Sequence, residues 1–326
     1  KKENNQLYTS INMKNNNAQG ILFILLGMFI FAIQDTLMKY IISSVALYEV
    51  YLIRTFVSLL IIIFYLKITD KPIIFKTHYP ILTSCRILLF FAGFSFFYIS
   101  LTIMPLATAN ALFFCSPFLI TIFAKFILKE QIGIRRWTAV IIGFVGVMII
   151  LNPDFSNFDY LSTLPILCAF CYALSMIIIK KTSDKDNVYS QSLQSNAVAV
   201  IISLALYFFI GDGQYDNINH PASQYILREW FGNLEFTLPF MIIMGFSAAL
   251  AFLSLFTAYR ISSPSVISPF EYSILVWTSL SGWFFFDEIP SIRVFIGMFF
   301  IVSGGIYIFM REKAQDQSIV TEKPLR

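Results

Sequence analysis

The chain has 326 residues, of which 57% are hydrophobic and only 13% charged. Soluble domains carry about a quarter charged residues, so this balance points to lipid as the solvent. The composition excludes a water-soluble α/β enzyme, and the net charge of +4 is too modest to suggest a nucleic-acid partner. Crossing a hydrocarbon core takes about 20 apolar residues, which leaves room for about ten crossings with short connections.

Residues 1–19 form a polar, Asn-rich tail with Lys1, Lys2 and Lys14. The apolar run from Gly20 has the length of a signal-peptide core. No small-residue cleavage motif closes it, however, and nine more apolar runs follow, so it is read as the first span. The predicted spans are 20–42, 47–66, 80–102, 105–127, 136–151, 160–179, 191–210, 238–258, 264–285 and 291–310. Turn chemistry separates them at Asp70-Lys71-Pro72, Asn152-Pro153-Asp154 and Gly211-Asp212-Gly213. The longest connection, 211–237, holds Tyr225, Trp230 and Phe231 near Arg228 and reads as containing an interfacial helix. Residues 311–326 form a second polar tail.

The four cysteines, Cys85, Cys115, Cys168 and Cys171, all fall in apolar runs, while His78 and His220 fall in loops. Inside a membrane helix the C-x-x-C of Cys168 and Cys171 reads as packing rather than redox chemistry. No disulfide framework, metal site or cofactor is expected.

Lysine and arginine set the orientation, because cytoplasmic loops retain positive charge. With the N-terminus inside, 18 of the 23 Lys and Arg residues fall on the cytoplasmic side, and only Lys39, Arg228 and Arg293 outside. Arg54 and Arg86 lie within spans. This asymmetry requires an even number of spans and places both termini in the cytoplasm. Residues 97–151 also align with 255–309 at a constant offset, matching Glu130 to Glu288, Arg135 to Arg293 and Gly146 to Gly304. Each half, 20–151 and 160–310, would hold five helices. An odd number per repeat turns the second half upside-down relative to the first.

The run Ser268-Pro269-Phe270-Glu271-Tyr272 through Trp277, continuing past Gly282 to Asp287-Glu288, resembles the second-repeat pattern of the drug/metabolite transporter superfamily, in its EamA-type branch. Pro105 through Ala111, Lys129-Glu130 and Arg136-Trp137 through Gly146 are similar to its first repeat, and Phe31 through Lys39 to its first span. The resemblance covers about residues 20–310. It implies an all-α membrane protein of ten helices in two inverted five-helix repeats around a central cavity. Some members of this branch are assigned to S-adenosylmethionine uptake, which makes that compound the first named substrate expectation.

Ionisable side chains in a bilayer cost about 2.5–3.5 kcal/mol each on insertion scales, so each needs a partner or a wet cavity. Helical rise puts Asp35 and Arg54 at matching depths, and likewise Lys39 and Glu49. Two ion pairs fixing the first two helices are one reading; Asp35 or Arg54 lining a cavity is the other. Arg86 and Glu271 share a depth on opposite repeats. As a pair they could break and re-form as one half rocks, with Glu271 handling substrate or a proton, or they could be a plain structural bridge. Tyr98, Asn110, Tyr272 and Trp277 complete the candidate cavity, the aromatics offering flat faces for a planar group or cation.

These readings give a secondary transporter in a bacterial inner membrane, not an enzyme, moving a small polar or zwitterionic metabolite. Amino acids, amines and S-adenosylmethionine-like compounds fit, carried by alternating access with proton coupling or exchange. No G-x-x-x-x-G-K-[ST] motif supplies an ATPase. The rivals are an exporter of the same fold, a multi-spanning membrane enzyme and a passive channel. Two loop histidines without an acidic cluster weigh against the enzyme, and the lack of a filter-like loop weighs against the channel. Oligomeric state does not follow from the sequence.

Overall fold

The computed structural model describes residues 16–41, 44–100, 109, 112–151, 163–215, 221–286 and 291–321. The described residues form helices and connections with no strand. In lipid every backbone N–H and C=O must be satisfied within its own segment, and these apolar runs do so as helices.

The first half comprises α1 (Asn17–Ile41), α2 (Leu47–Ile68), α3 (Pro80–Ser100), α4 (Ser116–Ile127) and α5 (Ile134–Leu151). The second begins with α6 (Leu164–Lys181) and α7 (Val188–Ile210). A short α8 (Pro221–Leu227) lies in the long connection, and α9 (Leu234–Ile261) follows. The expected ninth span is three consecutive pieces: α10 (Pro264–Ile267), a 3-10 turn (Ser268–Tyr272) and α11 (Ser273–Phe286). Last comes α12 (Ile292–Thr321), which runs past the expected end at 310 through the helix-forming Arg311–Ala314 segment. Among the described residues six helices, α1, α2, α3, α6, α7 and α9, are long and apolar enough to cross a membrane. Shorter apolar helices lie in α4, α5 and α12.

Local chemistry explains several boundaries. The Asn187 side chain accepts the Ser190 N–H at 2.7 Å and so caps α7. Pro117 and Pro165 occupy the first turns of α4 and α6, where a missing N–H costs nothing. Ser-Pro-Phe recurs at both helix interruptions. It opens α4 at Ser116 and the 3-10 turn at Ser268.

The main helix contacts recur when the halves are exchanged. The α1–α9 contact has its counterpart in α3–α6, α2–α9 in α3–α7, and α1–α11 in α4–α6. The α2–α7 and α5–α12 contacts map onto themselves. At the α5–α12 crossing a Cβ on Gly146 would lie 2.8 Å from the Gly297 carbonyl oxygen, and one on Gly297 2.5 Å from that of Gly146. Only glycine allows this approach. Gly304 faces Ala139 in the same antiparallel register. The helices meet head to tail, as an inverted repeat requires.

The main core cluster lies between the halves, from Ile24 and Met28 of α1 to Tyr172 and Met176 of α6 and Phe252 and Phe256 of α9. The outer surface is apolar as well: Leu22 and Leu26 on α1, Phe208 and Phe209 on α7, and Phe284 and Phe285 on α11 are exposed. So broad an apolar exterior belongs against lipid.

One end of the bundle is tied by polar side chains. Asp186, in the α6–α7 loop, accepts from Thr77 Oγ1 at 2.5 Å and from the His78 N–H at 3.0 Å, with the His78 ring Nδ1 at 3.1 Å. Gln194 Nε2 donates to the Phe75 carbonyl at 3.0 Å, and the Tyr79 hydroxyl to Asp184 at 2.7 Å. Arg260, at the end of α9, donates to the carbonyls of Ser183 and Asp186. The α2–α3 loop of the first half therefore rests on the α6–α7 loop of the second.

Candidate functional site

A cavity opens between the two halves of the bundle. Its polar groups are Asp35 from α1, Tyr98 from α3, Tyr172 from α6, Glu271 from the 3-10 turn and Thr278 from α11. Phe31, Phe94, Phe97, Phe113 and Phe114 supply most of the remaining wall. The last two immediately precede the Ser116-Pro117 break and Glu271 follows the Ser268-Pro269 break, so both interrupted elements deliver residues to the cavity. Irregular backbone at membrane depth is tolerated where it lines such a space.

Glu271 is held by two tyrosines of its own half. The Tyr172 hydroxyl donates to Oε1 at 2.7 Å and the Tyr259 hydroxyl donates to the same oxygen at 2.5 Å. Hydrogen bonds to a charged group are worth about 1.5–3 kcal/mol each, enough to fix the carboxylate rotamer. Both bonds fall on Oε1, which leaves Oε2 for the cavity.

The expected Arg86–Glu271 pair is not made in this conformation. Arg86, 1% exposed, donates to Ser195 Oγ at 2.9 Å and to the Gln191 carbonyl at 3.2 Å, and its guanidinium lies over the Phe256 ring at 5.5 Å. It ties α3 to α7 and α9 and does not line the cavity. A shared depth along the membrane normal does not make two side chains face each other.

The outer carboxylates and cations also differ from the expected pairing. Arg54 donates Nη1 to Gln34 Oε1 at 3.4 Å and stacks on Tyr51 with its carbon 5.0 Å from the ring centroid. It acts on Asp35 through charge but does not reach ion-pair distance; among the described side chains the pair within 4.0 Å is His78–Asp186. Glu49 is turned to its own helix start, where Oε2 accepts the Ala46 N–H at 3.3 Å, with Arg228 nearby. The side chain of Lys39 lies outside the described residues, as does Asn110.

Tyr272 and Trp277 are not part of the cavity wall. Tyr272 is fully buried on the other side of the 3-10 turn, donating to the Phe114 carbonyl at 3.3 Å and covering Gly143. Successive residues of a 3-10 helix point about 120° apart, and here that rotation turns Tyr272 to the Phe114 carbonyl. Trp277 packs edge-on against Phe29 of α1, ring centroids 5.0 Å apart. Tyr172 and Tyr259 were not singled out from the sequence, because a tyrosine among so many aromatic residues carries no mark of its partner. Among the described residues no group of three His, Cys, Asp or Glu side chains could hold a metal.

A helical bundle with an apolar exterior and a polar-lined cavity between two interchangeable halves defines a membrane transporter. Comparison with known proteins gives the family. The EamA-like transporter family model matches residues 18–152 and again 162–310. The chain belongs to this family, within the drug/metabolite transporter superfamily, and is a transporter rather than an enzyme. It is 28% identical over 294 residues to an S-adenosylmethionine uptake transporter of Rickettsia prowazekii, covering 90% of this chain and 93% of that one. It is 27% identical to a riboflavin transporter of Vibrio cholerae, covering 91% and 95%. A solved crystal structure shares the fold with a TM-score of 0.68 at 14% identity, covering 89% of this chain and 94% of that chain.

Proposed function

We propose that this protein takes up a cationic or zwitterionic metabolite with a planar aromatic part, S-adenosylmethionine or a close analogue, across a bacterial inner membrane. The observation that carries the reading is the charge of the cavity wall: among the described residues it has two carboxylates, Asp35 and Glu271, no Lys or Arg, and a lining of aromatic rings. Such a wall favours a sulfonium or ammonium centre by charge and by cation–π attraction, and a purine by stacking. Riboflavin is planar but uncharged, so it would use the rings and leave both carboxylates unanswered. The similarity to a transporter named for S-adenosylmethionine uptake supports the same choice.

Ten crossings with both termini in the cytoplasm agree with the exchangeable halves and with the distribution of Lys and Arg. The tied end is then cytoplasmic. Asp35 and Tyr98 lie toward the far ends of α1 and α3, so the cavity leans to the outer side while the inner side is shut. Transport proceeds by rocking one half on the other, with Glu271 taking substrate or a proton in exchange.

The test is uptake of labelled S-adenosylmethionine into proteoliposomes, with and without a pH gradient, against unlabelled riboflavin, amino acids and amines. Saturable uptake, competed by adenosyl sulfonium compounds and not by riboflavin, is expected. Competition by riboflavin alone would overturn the substrate assignment.

A further inference from the structure

A second, smaller cavity lies beside the first between α2, α3, α7 and α9. Its electrostatic character is the reverse. Among the described residues Arg54 is in its wall with no Asp or Glu, accompanied by Tyr51, Thr55, Ser192, Ser195 and Asn196. Arg54 and Tyr51 are each 5% exposed, and among the described residues neither the Arg54 Nε nor the Tyr51 hydroxyl has a hydrogen-bond partner. A buried guanidinium and a buried phenol left short of acceptors are costly unless something supplies them.

The two cavities meet at a thin aromatic partition. Phe90 of the second lies 4.9 Å from Phe94 of the first, and Phe252 lies 5.4 Å from Phe31, centroid to centroid. At one edge the separation is bridged by charge: Arg54 also interacts with the Tyr98 hydroxyl and with Asp35, both in the first cavity's wall. In the empty protein, then, Asp35 and Arg54 balance one another across a gap too long for an ion pair.

We propose that the second cavity is a carboxylate subsite, in which the Arg54 guanidinium and the Tyr51 hydroxyl bind the acid group of a zwitterionic substrate whose cationic and aromatic parts occupy the first cavity. The substrate replaces the long-range Asp35–Arg54 interaction with two short ones, its cation on Asp35 and its carboxylate on Arg54. Charge stays balanced on both walls, and neither a pure cation nor a pure anion achieves this. The inference rests on the reading that the first cavity holds the cationic part. The arginine fork suits a carboxylate, donating to it through two parallel N–H groups.

Calorimetric binding to the full-length protein in detergent tests this with S-adenosylmethionine and its decarboxylated counterpart, which differ only in the acid group. The wild type should bind the acid form about 10- to 100-fold more tightly. Arg54→Gln should erase that preference, with the decarboxylated compound binding at least as tightly as before because Asp35 loses its opposing charge. Tyr51→Phe removes a hydroxyl with no partner, so it should fold normally and still lose a few-fold of the preference. A second pair, methionine and 3-methylthiopropylamine, separates this inference from the choice of substrate. If the adenosyl pair does not bind but methionine is preferred over its amine in an Arg54-dependent way, the substrate assignment falls and the subsite stands. If neither pair shows a carboxylate preference, or if Arg54→Gln weakens both members of a pair equally, the subsite is overturned and Arg54 is packing.

Discussion

The two ends of the bundle use polar residues in opposite ways. At the tied end Asp186 is buried and takes three hydrogen-bond contacts from Thr77 and His78, while Arg260 donates to loop carbonyls on the other side of the same turn. Charge there is consumed by the protein. In the cavity region Glu271 has one oxygen held by two tyrosines, and Arg54 and Tyr51 keep buried donors with no acceptor. Charge there is positioned and left unspent. A buried polar network that is satisfied fixes shape, whereas one left short of partners is a demand for a ligand or water. Substitutions at the two ends should therefore separate stability from transport.

The largest effect is expected from Glu271→Gln. Removing this charge should cut uptake of a cationic substrate at least about 10- to 100-fold, the scale of a charged hydrogen bond. The thermal midpoint should hold or rise, since a buried charge is expensive and its loss relieves the fold. Uptake assayed with the midpoint of the same preparation decides it. Normal uptake at every pH would remove Glu271 from the cycle and with it half of the contrast.

Asp186→Asn should show the reverse. Burial pulls the Asp186 carboxyl up, but the hydrogen bonds from Thr77 and His78 outweigh it and leave the group below the ordinary carboxylate range. A depressed folded value means the carboxylate adds stability above about pH 4, and the contribution is lost as pH falls through the lower folded value. The variant should melt about 2–4 °C lower near neutral pH and lack that acid-side loss. In a cysteine-free background carrying Ser192→Cys, it should also react faster with an impermeant thiol reagent from the cytoplasmic side. Substrate affinity should change less than about three-fold. If affinity collapsed and reactivity did not, the tie would belong to the binding site.

This contrast also marks what the sequence discloses. Spans, repeat and charge asymmetry are legible because each is periodic or additive along the chain; Gly146, flagged by its offset to Gly304, does lie at a helix crossing. Depth is estimated through helical rise, which put Asp35 and Glu271 within spans, and both line the cavity. What helical rise omits is rotation about the helix axis. Arg86 and Glu271 share a level yet face different helices, and Tyr272 turns its back on the space that Glu271 enters. The partners of Glu271 come from α6 and α9, nearly a hundred residues and twelve residues away in the chain. No spacing rule connects them.

Tyr259→Phe sharpens the cavity side. Tyr259 touches Glu271 but does not line the cavity, so it positions and does not bind. Its loss should leave the carboxylate less restrained, raising KM about 3- to 10-fold with a smaller change in maximal rate, while Glu271→Gln raises KM and also lowers the maximal rate. Equal losses in the two variants would mean that the tyrosine itself contacts substrate.

The smallest effect is expected from Lys71→Ala. Lys71 also bridges the two halves at the tied end, its Nζ 3.4 Å from the Tyr65 hydroxyl and 3.3 Å from that of Tyr189, and 4.9 Å from the Tyr189 ring centroid. By contact alone it resembles Asp186. The difference is exposure: Lys71 and Tyr65 are open to solvent, so water replaces these hydrogen bonds when they break, and salt screens the charge. The midpoint should move by about 1 °C or less and uptake should stay at the wild-type level. A loss matching that of Asp186→Asn would mean that the inner face is held by its whole rim and not by the buried aspartate, and burial would no longer explain which polar contacts hold the halves together.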